Sequence, residues 1–272
     1  MTLDRTDEGF FDELVGIINS EPNLAARLLE AANSAQSAPR SPVTSVRAAA
    51  SRLGSSGAAN LVTALGVTTV FVPRDKWEQS LWRHSLQVAE GAGALAATAD
   101  EPALKREAAH TAGLLHDIGR FVMFLEAPDA LREIDEGNWN SPQELVELER
   151  TICGLTHTEI GSIACTQWNL PHHITETVRR HHEPRDEARD SSSVTDMIVE
   201  LVHFADLALF PSAYADSPNL SEEHVANELI PKLPSFLKLS PQALLTLITE
   251  AIDRANTAAS ALGLGGTGAA LT

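Results

Sequence analysis

Ala112-Gly113-Leu114-Leu115-His116-Asp117-Ile118-Gly119-Arg120 is an apolar stretch with two adjacent ionisable residues at its centre. Its Ala, Leu and Ile residues recur at helical spacing, as part of a helical segment expected over about 103–126. Inside such a helix Asp117 meets apolar neighbours. A buried carboxylate needs an opposite charge or a metal, because stripping its hydration costs several kcal/mol.

Two other helix faces pose the same problem. Trp77, Leu81, His84 and Val88 share a face, and so do Val199, Val202, Asp206 and Leu209. A single inward His is more often satisfied by a backbone carbonyl, and an inward Asp by an Arg. His157 heads the string His157-Thr158-Glu159-Ile160-Gly161, whose Gly lies one turn later and allows a close helix approach. His181-His182-Glu183 closes another helix, where the dipole alone favours a His. His110, His172, His173, His203 and His224 read as surface or spacer residues, although His203 lies close to Asp206 in the chain.

The set is therefore His84, His116, Asp117, His157, His181, His182 and Asp206. Imidazole and carboxylate without thiolate suit Fe, Mn, Co or Zn, or Mg when water completes the shell. An Asp bridging two ions is a way to build a dinuclear hydrolytic site that acidifies a bound water. Arg120, one turn beyond His116, is expected to hold a phosphate oxygen in bidentate fashion. Asp117 and Arg120 are thus the candidate catalytic residues.

The rest of the chain reads as helix almost throughout, which makes the fold class all-α. Pro73 opens an amphipathic segment reaching about Ala97, and further helices are expected over about 142–152, 157–168, 172–181, 192–210 and 240–262. Ser20, Ser41 and Ser141 precede Pro or Glu-Pro as helix starts. The β-leaning patch Val67 to Val72 has nothing to pair with. Composition shifts suggest an N-terminal helical subdomain at 1–72 without His, a second helical domain at 73–262 and a Gly-rich flexible tail at 263–272.

Composition narrows the function. The 272 residues carry 20 Lys and Arg against 37 Asp and Glu, a net charge of −17, so a phosphate backbone is repelled and nucleic acid is an unfavoured partner. No stretch of eighteen apolar residues or secretory leader is visible, so no membrane partner is expected. Two Cys, at 153 and 165, cannot build a disulfide framework, and a reducing cytoplasm is the expected location.

His84, His116-Asp117 and Asp206 resemble the H…HD…D pattern of the HD superfamily of metal-dependent phosphohydrolases. His157, His181 and His182 resemble the added ligands of its dinuclear members, including the HD-GYP phosphodiesterases that cleave cyclic di-GMP. Over about 10–210 the chain is similar to the HDOD domain, the HD-related output domain of bacterial signalling. The carriers are Glu21-Pro22-Asn23-Leu24-Ala25-Ala26-Arg27-Leu28-Leu29 with Ala32-Asn33-Ser34, then Leu53-Gly54, Trp82-Arg83-His84-Ser85, Gly113 to Gly119, and Trp168-Asn169-Leu170-Pro171 leading to His181-His182. The resemblance implies a small N-terminal helical bundle packed on an HD-like helical domain. It also implies a regulatory protein acting through a partner protein or small nucleotide ligand. Many HDOD members lack part of the metal set, whereas this chain keeps every position. No Gly-Tyr-Pro follows His181-His182-Glu183, and Arg120 replaces the usual Lys. Two functions follow: a metal-binding regulatory output module, or a metal-dependent phosphohydrolase of nucleotides or cyclic nucleotides.

Overall fold

A computed structural model describes residues 8–34, 41–54, 57–58, 76–137, 139, 141–183, 193–214 and 220–261. All regular structure among them is helical. The N-terminal part holds α1 (Glu8–Asn19), α2 (Pro22–Asn33) and α3 (46–54). Then come α4 (Lys76–Thr98), α5 (Arg106–Leu115), α6 (Ile118–Glu126), α7 (Pro128–Asp135), α8 (Pro142–Cys153), α9 (His157–Gln167), α10 (His172–Arg180) and α11 (Val194–Tyr214). A short α12 (Glu222–His224) runs into one π turn and one 3-10 turn, and α13 (Pro241–Ala261) closes the described chain. The patch 67–72, residues 184–192 and the tail 263–272 lie outside the described residues.

Two helix starts show how local chemistry sets the boundaries. Ser141 caps α8 by accepting the Glu144 N–H, with Pro142 in the first turn where its missing N–H is harmless. At α2 the cap is Glu21 rather than Ser20. Its carboxylate accepts the N–H groups of Asn23 and Leu24, while Ser20 Oγ turns back to Ile17 O. The helix expected over 103–126 is two helices, because the chain turns at His116-Asp117, where Asp117 has φ −96° and ψ 18°. Helix α7 has no counterpart among the expected helices.

Long α4 lies at the centre, packed on α5, α11 and α13. The apolar faces of α1–α3 (Ile18, Leu28, Leu29, Val46) join Leu81, Trp82, Leu114, Leu115, Phe121 and Val178 in one core. Trp82 Nε1–H donates to Ser20 O across that junction. A second core is built from α4, α5, α11 and α13, and a smaller one holds α6, α7 and α8 together. Burial of about 25 cal/mol per Å² of apolar surface holds these layers together. It also fixes the inward side chains of α4, α5, α10 and α11 at one polar point between the cores. No described helix is long and apolar enough to cross a membrane.

Candidate metal centre

Close helix crossings bring the polar residues together. A Cβ added to Gly113 would lie 2.9 Å from Ala89 Cα, so α5 meets α4 nearly backbone to backbone. This sets His116 beside His84, with ring centroids 5.1 Å apart. A Cβ added to Gly119 would lie 1.9 Å from His157 O and 2.8 Å from Gly161 N. Gly161 is thus the contact its spacing suggested, and its partner is the Gly that follows the His-Asp pair. The turn between α5 and α6 then aims the ligands. His116 is the C-cap of α5, and Asp117 is the N-cap of α6 but makes no side-chain cap bond, which leaves its carboxylate to the cluster.

The structure brings all seven sequence-derived positions together, in two groups. Donor atoms of Asp117, His157, His181 and His182 lie within 4.8 Å of one another, as do those of His84, His116 and Asp206. Asp117 joins the groups: Oδ1 is 3.3 Å from His157 Nε2 and 3.5 Å from His181 Nε2, while Oδ2 is 3.5 Å from His116 Nε2. Asp206 does the same, with Oδ1 2.9 Å from His84 Nε2 and Oδ2 3.4 Å from His182 Nδ1. Six of the seven residues are buried, and half-buried His182 marks the side nearest solvent.

Hydrogen-bond partners assign the imidazole protons. Nδ1–H of His116 donates to Gly113 O at 2.7 Å, that of His181 to Val178 O at 3.0 Å, and that of His157 to Glu149 Oε2 at 2.7 Å. Each bond leaves Nε2 facing inward. His157 Nε2 and His181 Nε2 stand 3.3 Å apart, and His116 Nε2 is buried without a hydrogen bond. Two facing nitrogen lone pairs at that distance repel unless a proton or a metal ion lies between them.

Electrostatics distinguish the rings. Burial pushes His116 down to about 4, against the opposing pull of Asp117. Burial, with His181 adjacent, holds His182 well below its ordinary range. These rings are neutral lone-pair donors at neutral pH. Burial alone would raise Asp117 and Asp206, but the imidazoles around them outweigh it and hold both carboxyls low. His157 is raised: burial disfavours its charge, and Glu149 more than compensates.

Arg120 occupies a place other than the one expected of it. Its side chain is 1% exposed and its guanidinium donates to Asp135, so it lies within the core rather than presented to a phosphate. Its guanidinium thus serves Asp135 and the neighbouring Glu149. Glu149, Asp135 and His203 were not marked by the sequence. His203 Nδ1–H donates to His181 O and ties the end of α10 to α11. Glu149 sits among several glutamates on α8, and its only signal is a face shared with Leu145 and Ile152. His110 pairs with Glu90 at 3.4 Å and His173 is buried, so neither is a surface spacer, whereas His172 is exposed.

The chain matches a known family model, the HDOD domain, over residues 5–184. This chain belongs to the HDOD family. Among curated proteins, an uncharacterized protein of Treponema pallidum (strain Nichols) is 28% identical over 172 residues, which is 62% of this chain. The match takes up 33% of that relative, so the chain spans about a third of its length. Among solved structures, the MmoQ response regulator of Methylococcus capsulatus superposes with a TM-score of 0.60 at 24% identity, covering 77% of this chain and 81% of its own. An HDOD domain protein of Geobacter sulfurreducens gives 0.51 at 20% identity, covering 91% and 86%. At these identities the likeness is one of fold. The all-α architecture read from the sequence is thus that of HDOD proteins, with HD-type residues at its polar centre.

Proposed function

We propose that this HDOD protein is a signal-transduction output module that holds divalent metal in its HD-like half and acts through a partner protein or a small signalling ligand. The observation that carries the metal reading is the inward Nε2 of His116, His157 and His181, each fixed by a protein acceptor on Nδ1, around two carboxylates that span both groups. Imidazoles and carboxylates without a thiolate fit Fe, Mn, Co or Zn. Asp117, His157, His181 and His182 would hold one ion and His84, His116 and Asp206 another, with Asp117 and Asp206 reaching from one to the other. The family and the burial of six of the seven residues support a structural and regulatory centre.

A second reading, a phosphohydrolase of nucleotides or cyclic nucleotides, is favoured by the completeness of the donor set. A bound metal pair would supply Lewis acidity to a phosphate oxygen and an acidified water. Against it stands Arg120, whose guanidinium is engaged by Asp135. The −17 charge also offers no general attraction to anions. The two readings separate in one assay. Metal-replete chain is incubated with nucleotides, cyclic dinucleotides and an activated phosphodiester, beside an Asp117→Ala variant. The regulatory reading expects no turnover that depends on Asp117. Turnover abolished by the variant would establish the enzyme instead.

A further inference from the structure

We infer that Glu149 is a positioning residue for the candidate metal centre: from α8 it grips His157 at two points and presents its Nε2 to the ion held with Asp117, His181 and His182. This rests on the metal reading above and extends it to a residue outside the ligand set.

The grip is geometric. Glu149 is 0% exposed, and its Oε2 accepts the His157 backbone N–H at 2.9 Å and the His157 Nδ1–H at 2.7 Å. The backbone bond occupies one of the N–H groups that the first turn of a helix leaves unpaired, since His157 opens α9. The ring bond selects the tautomer. With main chain and ring held by the same oxygen, a ring rotation breaks the ring bond and a shift along the helix breaks both. A carboxylate behind a ligating His also makes the nitrogen in front a stronger donor.

The surroundings show why a charged residue is tolerated there. Glu149 Oε1 is buried with no hydrogen bond, so this carboxylate is not placed for its own hydration. Arg120, 1% exposed and joined to Asp135, lies near enough for its charge to act on Glu149. Asp135, Arg120, Glu149, His157 and Asp117 thus lie along one polar path, in which His157 is the link between the α6–α8 core and the ligand cluster. An ion pair serving only to pin α8 to α9 would need no bond to the Nδ1–H of a ring whose other nitrogen is 3.3 Å from Asp117.

Co²⁺ titration of the full chain, followed by its visible d–d absorption, tests the inference. Metal-free thermal unfolding is measured in parallel. Removing an outer partner of a metal-bound His typically costs about 10–100-fold in metal affinity. Glu149→Ala is expected to fall in that range for one ion and to change the d–d spectrum. Glu149→Gln keeps an acceptor oxygen and should lose about tenfold, the lower end of that range. It decides the matter if the Ala variant does not fold. Wild-type affinity and spectrum in Glu149→Gln, with only a lower unfolding temperature, would make Glu149 a structural residue and overturn the inference. Failure of the wild-type chain itself to bind Co²⁺ would remove the metal reading, a separate outcome.

Discussion

At the residue scale the molecule places charge where hydration is absent and matches it locally. Asp206 shows this: neither an Arg nor a solvent-facing helix answers its inward position, but His84 at 2.9 Å and His182 at 3.4 Å do. That much was legible, because an Asp on an apolar face demands a partner and the ionisable residues without an evident one were few. Arg120 was not legible. Its distance from His116 along a helix suggested a role in the cluster, but the break at Asp117 redirects α6 and turns the guanidinium to Asp135. Arg120→Met would leave half-buried Asp135 and buried Glu149 without their cation, and breaking a buried pair typically costs about 3–5 kcal/mol. Urea unfolding of the metal-free variant measures this. A loss below about 1 kcal/mol, the level of an exposed pair, would show that Arg120 is not the counter-ion of this region.

At the element scale the site depends on helices that approach more closely than ordinary side chains allow. Gly161 could be read from its spacing after His157, but its partner Gly119 could not, since nothing local shows which helix will cross. Gly119→Ala sets a methyl against His157 O, a backbone atom that cannot rotate away. The expected loss is at or above the upper end of about 1–3 kcal/mol, together with weaker metal retention. Gly16→Ala, on the exposed face of α1 with nothing within 4 Å of the new Cβ, should stabilise by up to about 1 kcal/mol. Comparison of the two unfolding free energies tests the crossing. The start of α2 gives a pH signal. Burial raises Glu21 from 4.5 to about 7, so the folded chain holds that proton more tightly than the unfolded chain. Its stabilising effect is complete below 4.5 and is lost as pH rises through about 7. Relative to Glu21→Gln, the wild-type chain should lose on the order of 3 kcal/mol across that window, since each tenfold difference in proton affinity between the folded and unfolded chain is worth about 1.4 kcal/mol. Parallel unfolding temperatures at pH 5 and pH 8 measure it, and curves that keep a constant separation would contradict it.

At the scale of the whole molecule, helical periodicity made the all-α class legible, but not how the N-terminal helices meet the rest. Their apolar faces join α4, α5, α6 and α10 in one core, which only the three-dimensional arrangement shows. The net charge of −17 acquires a local meaning as well. Part of the carboxylate excess is buried at the polar centre, among imidazoles and beside the Arg120 guanidinium. A cation that binds only the folded chain stabilises it in proportion to the logarithm of its concentration over its Kd. Chelation should therefore lower the unfolding temperature of the wild-type chain and leave a His116→Ala, Asp117→Ala double variant unmoved. The most direct test of the metal centre is elemental analysis of the full chain, purified without oxygen and reloaded in turn with Fe²⁺, Mn²⁺ and Zn²⁺. One ion for each donor group is expected, two per chain, with the double variant losing both. A wild-type chain that retains no ion above background after reloading would contradict the account.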